Sequence, residues 1–76
     1  MTWNESNKFA NDMRRDALDS AISANNRQAS VKVNHGYATV KVTVNVSSTG
    51  NSFEYRINDV LFNLSQFEQA LTLLSF

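Results

Sequence analysis

The stretch VKVNHGYATVKVTVNV, Val31 to Val46, decides the fold. It alternates apolar and polar residues almost without a break. Val31 and Val33 predict a short strand facing one way. Asn34-His35-Gly36 predicts a turn, with Gly36 the residue that most readily takes positive φ. Ala38, Val40, Val42, Val44 and Val46 then share one face of a long strand, and Tyr37, Thr39, Lys41, Thr43 and Asn45 share the other. One buried face and one wet face is the pattern of an antiparallel sheet.

The valine face needs a cover, and the flanking segments supply it. Upstream, MTWNESNKFANDMRRDALDSAISANNR reads as a helix. Thr2 and Glu5 have capping-box spacing. Phe9, Ala10, Met13, Ala17, Ala21 and Ala24 recur at three- and four-residue steps, with Leu18 and Ile22 widening the stripe. The small side chains let the helix lie close on a sheet. Asn25-Asn26 is a stop signal, since Asn tolerates the left-handed conformation at a helix end.

Downstream, SSTGNS (residues 47–52) predicts a turn around Gly50. FEYRI alternates again, with Phe53, Tyr55 and Ile57 inward and Glu54 and Arg56 outward. Asn58-Asp59 suits a two-residue hairpin turn, without the usual Gly. VLFN (residues 60–63) is either a fourth short strand or a linker. Ser65 is expected to cap a last helix with Glu68 three residues on. Phe67, Ala70, Leu71 and Leu74 give that helix one apolar stripe. The expectation is α+β, in two layers: N-terminal helix, three- to four-stranded antiparallel sheet, C-terminal helix. Both helices lie on the Val40/Val42/Val44 face, in one domain over residues 1–76.

With 76 residues, such a domain buries only about 60% of the surface its unfolded chain exposes. There is no Cys to staple it, so it folds on packing, with a partner, or as an oligomer. No apolar run approaches a membrane span and the first residues carry no secretory pattern, so a soluble, cytoplasmic protein is expected. Seven basic and seven acidic side chains balance. A nucleic-acid binder usually shows a basic excess, and a DNA mimic an acidic one.

Little in the chain points to catalysis. His35 could act as a general base, but no nucleophile or orienting acid is marked beside it, so an ordinary turn histidine is the expectation. One His, no Cys and no acidic cation loop exclude the usual metal motifs. Two separate glycines make no phosphate cradle. No catalytic residue, cofactor or metal is expected.

The candidate partner-binding residues are Tyr37, Lys32, Lys41 and Arg56 on the open sheet face, and Arg14 and Arg15 on the first helix. The competing reading of the first set is a solvated sheet face whose charges guard its edges. That of the second, with Lys8, is a helix face laced with weak ion pairs to Asp12, Asp16 and Asp19. Trp3, Phe9, Leu73 and Phe76 are expected to close the core, the alternative being a dimer seam or docking patch.

The order helix, three strands, helix resembles the double-stranded-RNA-binding domain in length and topology. That family grips phosphates with a Lys cluster opening the second helix. The matching stretch, NLSQFEQAL (residues 63–71), has no Lys or Arg and carries Glu68, so the resemblance implies topology alone. In size, lack of Cys and lack of catalytic motifs, the chain is also similar to the accessory proteins that phages encode, anti-CRISPR proteins among them. Those work by occupying a surface of a larger host complex.

The function expected is that of a small non-enzymatic interaction module, an inhibitor of the kind phages encode, which blocks a larger protein or complex sterically. The second reading is a nucleic-acid-binding module using the basic residues of the open face. A homodimer is the remaining alternative, and no membrane partner is expected.

Overall fold

The computed structural model describes residues 1–74. Helix α1 (Trp3–Ser23) is followed by strands β1 (Gln28–His35), β2 (Ala38–Ser47), β3 (Gly50–Ile57) and β4 (Val60–Phe62), and then helix α2 (Leu64–Leu73). The strands form one antiparallel sheet in the order β1-β2-β3-β4. Both helices pack on the same side of it, α1 over β1 and β2, α2 over β3 and β4. The two-layer α+β expectation holds, and Val60–Phe62 is a strand rather than a linker. The sheet is thus four-stranded, where the double-stranded-RNA-binding order has three.

The N-terminus of α1 is built by the expected capping box. Thr2 Oγ1 accepts from the Glu5 amide at 3.2 Å, and the Thr2 amide donates to Glu5 Oε1 at 3.0 Å. At the other end Asn25 takes φ 54°. The Asn26 amide donates to the Ala21 carbonyl at 2.9 Å and the Asn25 amide to that of Ile22 at 3.1 Å. These are the two bonds of a Schellman stop, with Asn in the place that glycine usually takes.

Between these ends, Ser6, Ala10, Met13, Ala17 and Ala21 form the buried stripe. Short side chains bring α1 down onto Val40, Val42 and Val44, all three fully buried. On α2, Phe67 and Leu71 are fully buried, and the Phe67 ring lies 5.0 Å from that of Tyr55 on β3. The helices are tied by Asn7 Nδ2, which donates to Glu68 Oε2 at 2.8 Å, and by the N-terminal ammonium, which donates to the Leu74 carbonyl at 3.0 Å.

Four expectations are corrected. Strand β1 is eight residues long, and its turn is Gly36-Tyr37 rather than Asn34-His35-Gly36. His35 pairs with Ala38, so the loop has two residues, and positive φ at the first of them, Gly36, matches the II′ hairpin. The cap of α2 is Asn63, whose Oδ1 accepts from the Gln66 amide at 2.8 Å while Gln66 Oε1 accepts from the Asn63 amide at 3.2 Å. Ser65 and Glu68 have the same spacing but lie two residues too late, inside the first turn, and Glu68 instead accepts from Asn7. Trp3 and Leu73 do not close the core: both are exposed, while Phe9 is partly buried against it. Phe76 lies outside the described residues. Lastly, Thr43 is buried although it sits on the wet face. It is flanked in register by Ser30 and Glu54, and its Oγ1 lies 2.8 Å from Ser30 Oγ.

The Asn58-Asp59 turn is as expected. Both residues have positive φ, 51° and 68°, the signature of a I′ hairpin. Asn58 is held from across the sheet: its amide donates to the Thr39 carbonyl and its Oδ1 accepts from the Thr39 amide, both at 2.9 Å. Among the described residues no helix is long and apolar enough to cross a membrane.

Two measurements follow from the caps. Asn63→Ala should lower the unfolding free energy by about 1 kcal/mol, while Ser65→Ala should stay within about 0.5 kcal/mol of wild type. Equal effects in denaturant titrations would place the cap wrongly. Glu5 is held below the usual carboxylate pKa, first by the Thr2 backbone hydrogen bond and then by that with its side chain. A depressed folded-state pKa stabilises above the ordinary carboxylate range, and the contribution is lost as pH falls through the folded value. Thermal melts of wild type should therefore fall more steeply than those of Glu5→Gln below about pH 4; parallel curves would show that the box carries no pH dependence.

Candidate functional site

The helices cover one face of the sheet and leave the other open. On that open face the register places three cations directly side by side. Lys32 on β1 pairs with Lys41 on β2, Lys41 pairs with Arg56 on β3, and Arg56 pairs with Leu61 on β4. The four residues form one row across the whole sheet, with neighbouring strands about 4.8 Å apart. Lys32 is exposed, Lys41 and Arg56 are half-buried, and Leu61 is exposed.

The flanking rows are polar. Ser30, Thr43 and Glu54 lie on one side of the cations, and Asn34, Thr39 and Asn58 on the other. Thr39 Oγ1 donates to Asn34 Oδ1 at 3.1 Å. A depression of about 590 Å³ lies over Ser30, Lys41, Thr43, Glu54 and Arg56, and one of about 320 Å³ over Lys32, Thr39, Lys41, Asn58 and Asp59. Lys41 and Asp59 line both.

The cations are unequally compensated. Arg56 Nη2 is 3.8 Å from Glu54 Oε2, and Arg56 Nη1 donates to the Asp59 carbonyl at 3.3 Å. Among the described residues Lys32 and Lys41 make no ion pair. Like charges placed directly opposite each other on neighbouring strands are destabilising. The row contains two such pairs, both involving Lys41. It is an arrangement that folding alone would not favour, and one that a bound anion would relieve.

Of the sequence-derived candidates, Lys32, Lys41 and Arg56 are brought together. Tyr37 is not with them: it occupies the second position of the β1–β2 turn, fully exposed at one end of the sheet. Arg14 and Arg15 lie on the helical layer, and they diverge. Arg14 Nη1 reaches toward the Tyr55 hydroxyl at 3.5 Å. Arg15 joins Lys8 on Asp12, with Lys8 Nζ 2.9 Å and Arg15 Nη2 3.4 Å from its carboxylate oxygens. The Lys8 hydrogen bond holds the Asp12 carboxyl below its usual pKa. Of the ion-paired helix face expected as the alternative, the structure has the two pairs to Asp12; among the described residues Arg14, Asp16 and Asp19 make no ion pair.

His35 ends β1, half-buried, beside a cavity of about 360 Å³ that is also lined by Tyr37, Ala38, Asn58 and Leu74. Among the described residues no three of His, Cys, Asp and Glu converge on one point. Leu61, Glu54 and Asp59 belong to the open-face site and were not singled out from sequence. The outward parity of Leu61 follows once residues 60–62 are taken as a strand after a two-residue turn. Comparison with known proteins brings no further guide: no family model, curated protein or solved structure matches the chain.

The like-charge row makes a prediction about stability. Lys41→Thr removes both opposed pairs while keeping a residue suited to a strand. It should raise the unfolding free energy by about 0.5–1 kcal/mol at low salt, and the gain should shrink as salt screens the wild-type repulsion. A loss of stability at every ionic strength would show that Lys41 is held by interactions that outweigh the repulsion.

Proposed function

We propose that the chain is a non-enzymatic interaction module that docks its open sheet face on an acidic surface of a larger protein. The observation that supports this reading is the row Lys32-Lys41-Arg56-Leu61. Three cations in register offer a short, fixed strip of positive charge, two of them making no ion pair among the described residues. Leu61 ends the strip with an apolar contact. Charge on such a surface sets orientation and on-rate, and an apolar residue within it adds area that is not screened by salt. The mode of action is steric: a rigid two-layer domain covers the acidic patch and excludes other ligands from it.

Nucleic acid fits the row less well. Phe53 and Tyr55 turn inward against the core, so β3 presents no aromatic side chain on which bases could stack. Three cations beside Glu54 and Asp59 are also a small charge with which to hold a phosphate backbone.

The test is affinity capture of the tagged chain from bacterial lysate, with and without nuclease, followed by titration of the recovered partner. Lys32→Glu, Lys41→Glu and Arg56→Glu together should weaken a nuclease-resistant protein partner at least tenfold, or 1.4 kcal/mol. Circular dichroism should show the variant still folded. An unchanged affinity would remove the open face from the interaction. Recovery that vanishes with nuclease, with affinity falling steeply in salt, would establish the nucleic-acid reading instead.

A further inference from the structure

We propose that the chain forms a two-fold symmetric dimer in which the free edge of β1 pairs, antiparallel, with β1 of a second copy, Val31 lying on the axis. The inference rests on backbone geometry and stands apart from the open-face reading.

The phase of the β1–β2 ladder is set by the Val46 amide, which donates to the Arg27 carbonyl at 2.7 Å. Bonded pairs recur every second residue in an antiparallel ladder. Ala29, Val31, Val33 and His35 therefore turn their amides and carbonyls toward β2. Gln28, Ser30, Lys32 and Asn34 turn theirs outward, and all four are exposed. They present four donors and four acceptors along one straight edge.

Of the usual guards that edge carries one, Lys32, and lacks the others. The register with β2 is unbroken over all eight residues, so there is no bulge, and the chain contains no Pro. Lys32 is the single Lys, Arg, Asp or Glu in the strand. The opposite edge is different, since β4 has only three residues.

The strand is also complementary to itself. With Val31 on the axis, Gln28 faces Asn34 of the second copy and Ser30 faces Lys32, so every outward amide and carbonyl meets an outward partner. On the covered side Ala29 faces Val33 and Val31 faces Val31, giving an apolar seam. Val33, 37% exposed in the single chain, would be covered there. Moving the axis to Lys32 would set Lys32 against itself, which is unfavourable. Moving it to Ser30 would shorten the paired segment. One register thus satisfies backbone, charge and apolar seam together. An isologous contact of this kind closes on itself at two copies. It also extends a core that is thin in a 76-residue chain without Cys.

The test uses the full chain, with mass measured by light scattering across a dilution series and amide exchange followed by NMR. Wild type should pass from the 8.5 kDa of one chain to about twice that as concentration rises. The amides of Ser30 and Lys32 should become protected as the dimer forms, while those of Val31 and Val33 are protected throughout. Ser30→Lys sets Lys against Lys32 on both sides of the axis and should weaken the dimer about tenfold, and Ser30→Glu should tighten it. Protection of the Val40 and Val42 amides verifies that each variant is folded. A monomer at every concentration would overturn the proposal. So would a dimer whose Ser30 and Lys32 amides exchange freely, or one indifferent to both substitutions.

Discussion

Val40, Val42 and Val44 of β2, buried under the alanine stripe of α1, are the contact on which the rest depends. Ala10, Ala17 and Ala21 are fully buried against the sheet and let the helix approach closely. Because side chains alternate with a period of two, committing these valines to the core commits Lys41 and Thr43 to the opposite face. A slip of one residue in β2 would bury Lys41 and expose the valines, so the position of Lys41 is enforced by the whole apolar core. Its neighbours are enforced by turns. Two-residue loops at Gly36-Tyr37 and Asn58-Asp59, and Ser48-Thr49 between β2 and β3, fix Lys32 and Arg56 opposite it and Leu61 beyond. The cation row is held in place by the core on one side and three turns at the ends.

The two faces of the sheet therefore play opposed thermodynamic roles. The covered face supplies the burial that folds the chain. The open face gives back part of that stability through opposed like charges, although Glu54 and the Asp59 carbonyl offset some of the repulsion at Arg56. Thr43 marks the boundary between the roles: flanked by Ser30 and Glu54, it is buried without facing the helices, so even the open face has a packed centre.

Which residues face which way was legible in the sequence, because it depends only on alternation. The valine run and the Phe53-Tyr55-Ile57 run placed their residues on the side that the structure has them, and the helical stripes did so except at Ile22 and Ala24, which are exposed at the C-terminal end of α1. Which residues lie beside one another was less so. That depends on loop length, and Asn34-His35-Gly36 is as good a turn by composition as Gly36-Tyr37. A turn at the earlier position would shorten β1 and leave it no long free edge. By parity Tyr37 reads as a strand residue, although it lies in the loop. The cap of α2 was misplaced for a related reason: Asn63/Gln66 and Ser65/Glu68 have identical spacing, and what separates them is that Glu68 is needed by Asn7, a contact across 61 positions of sequence. The exposure of Trp3 and Leu73 was illegible too, since periodicity says that a helix has an apolar side but not how much of it the sheet is wide enough to cover.

Lys32 belongs to both proposals, and this couples them. In the dimer register, Lys32 of each copy faces Ser30 of the other, and the two Lys32 side chains lie on the diagonal, about 7–8 Å apart. That is close to the Debye length at physiological ionic strength, so the repulsion between them is only partly screened. An acidic partner that neutralises Lys32 on the open face removes that repulsion and so favours the dimer. By linkage the dimer must then favour the partner by the same factor. Two rows of three cations, offset by one step of the ladder, would also meet an extended acidic surface bivalently. Edge pairing uses backbone atoms and partner docking uses side chains, so the two contacts do not compete for the same groups. The sign of the coupling follows from charge alone: neutral or basic ligands would leave the association unchanged or weaken it, and only anionic ones would strengthen it.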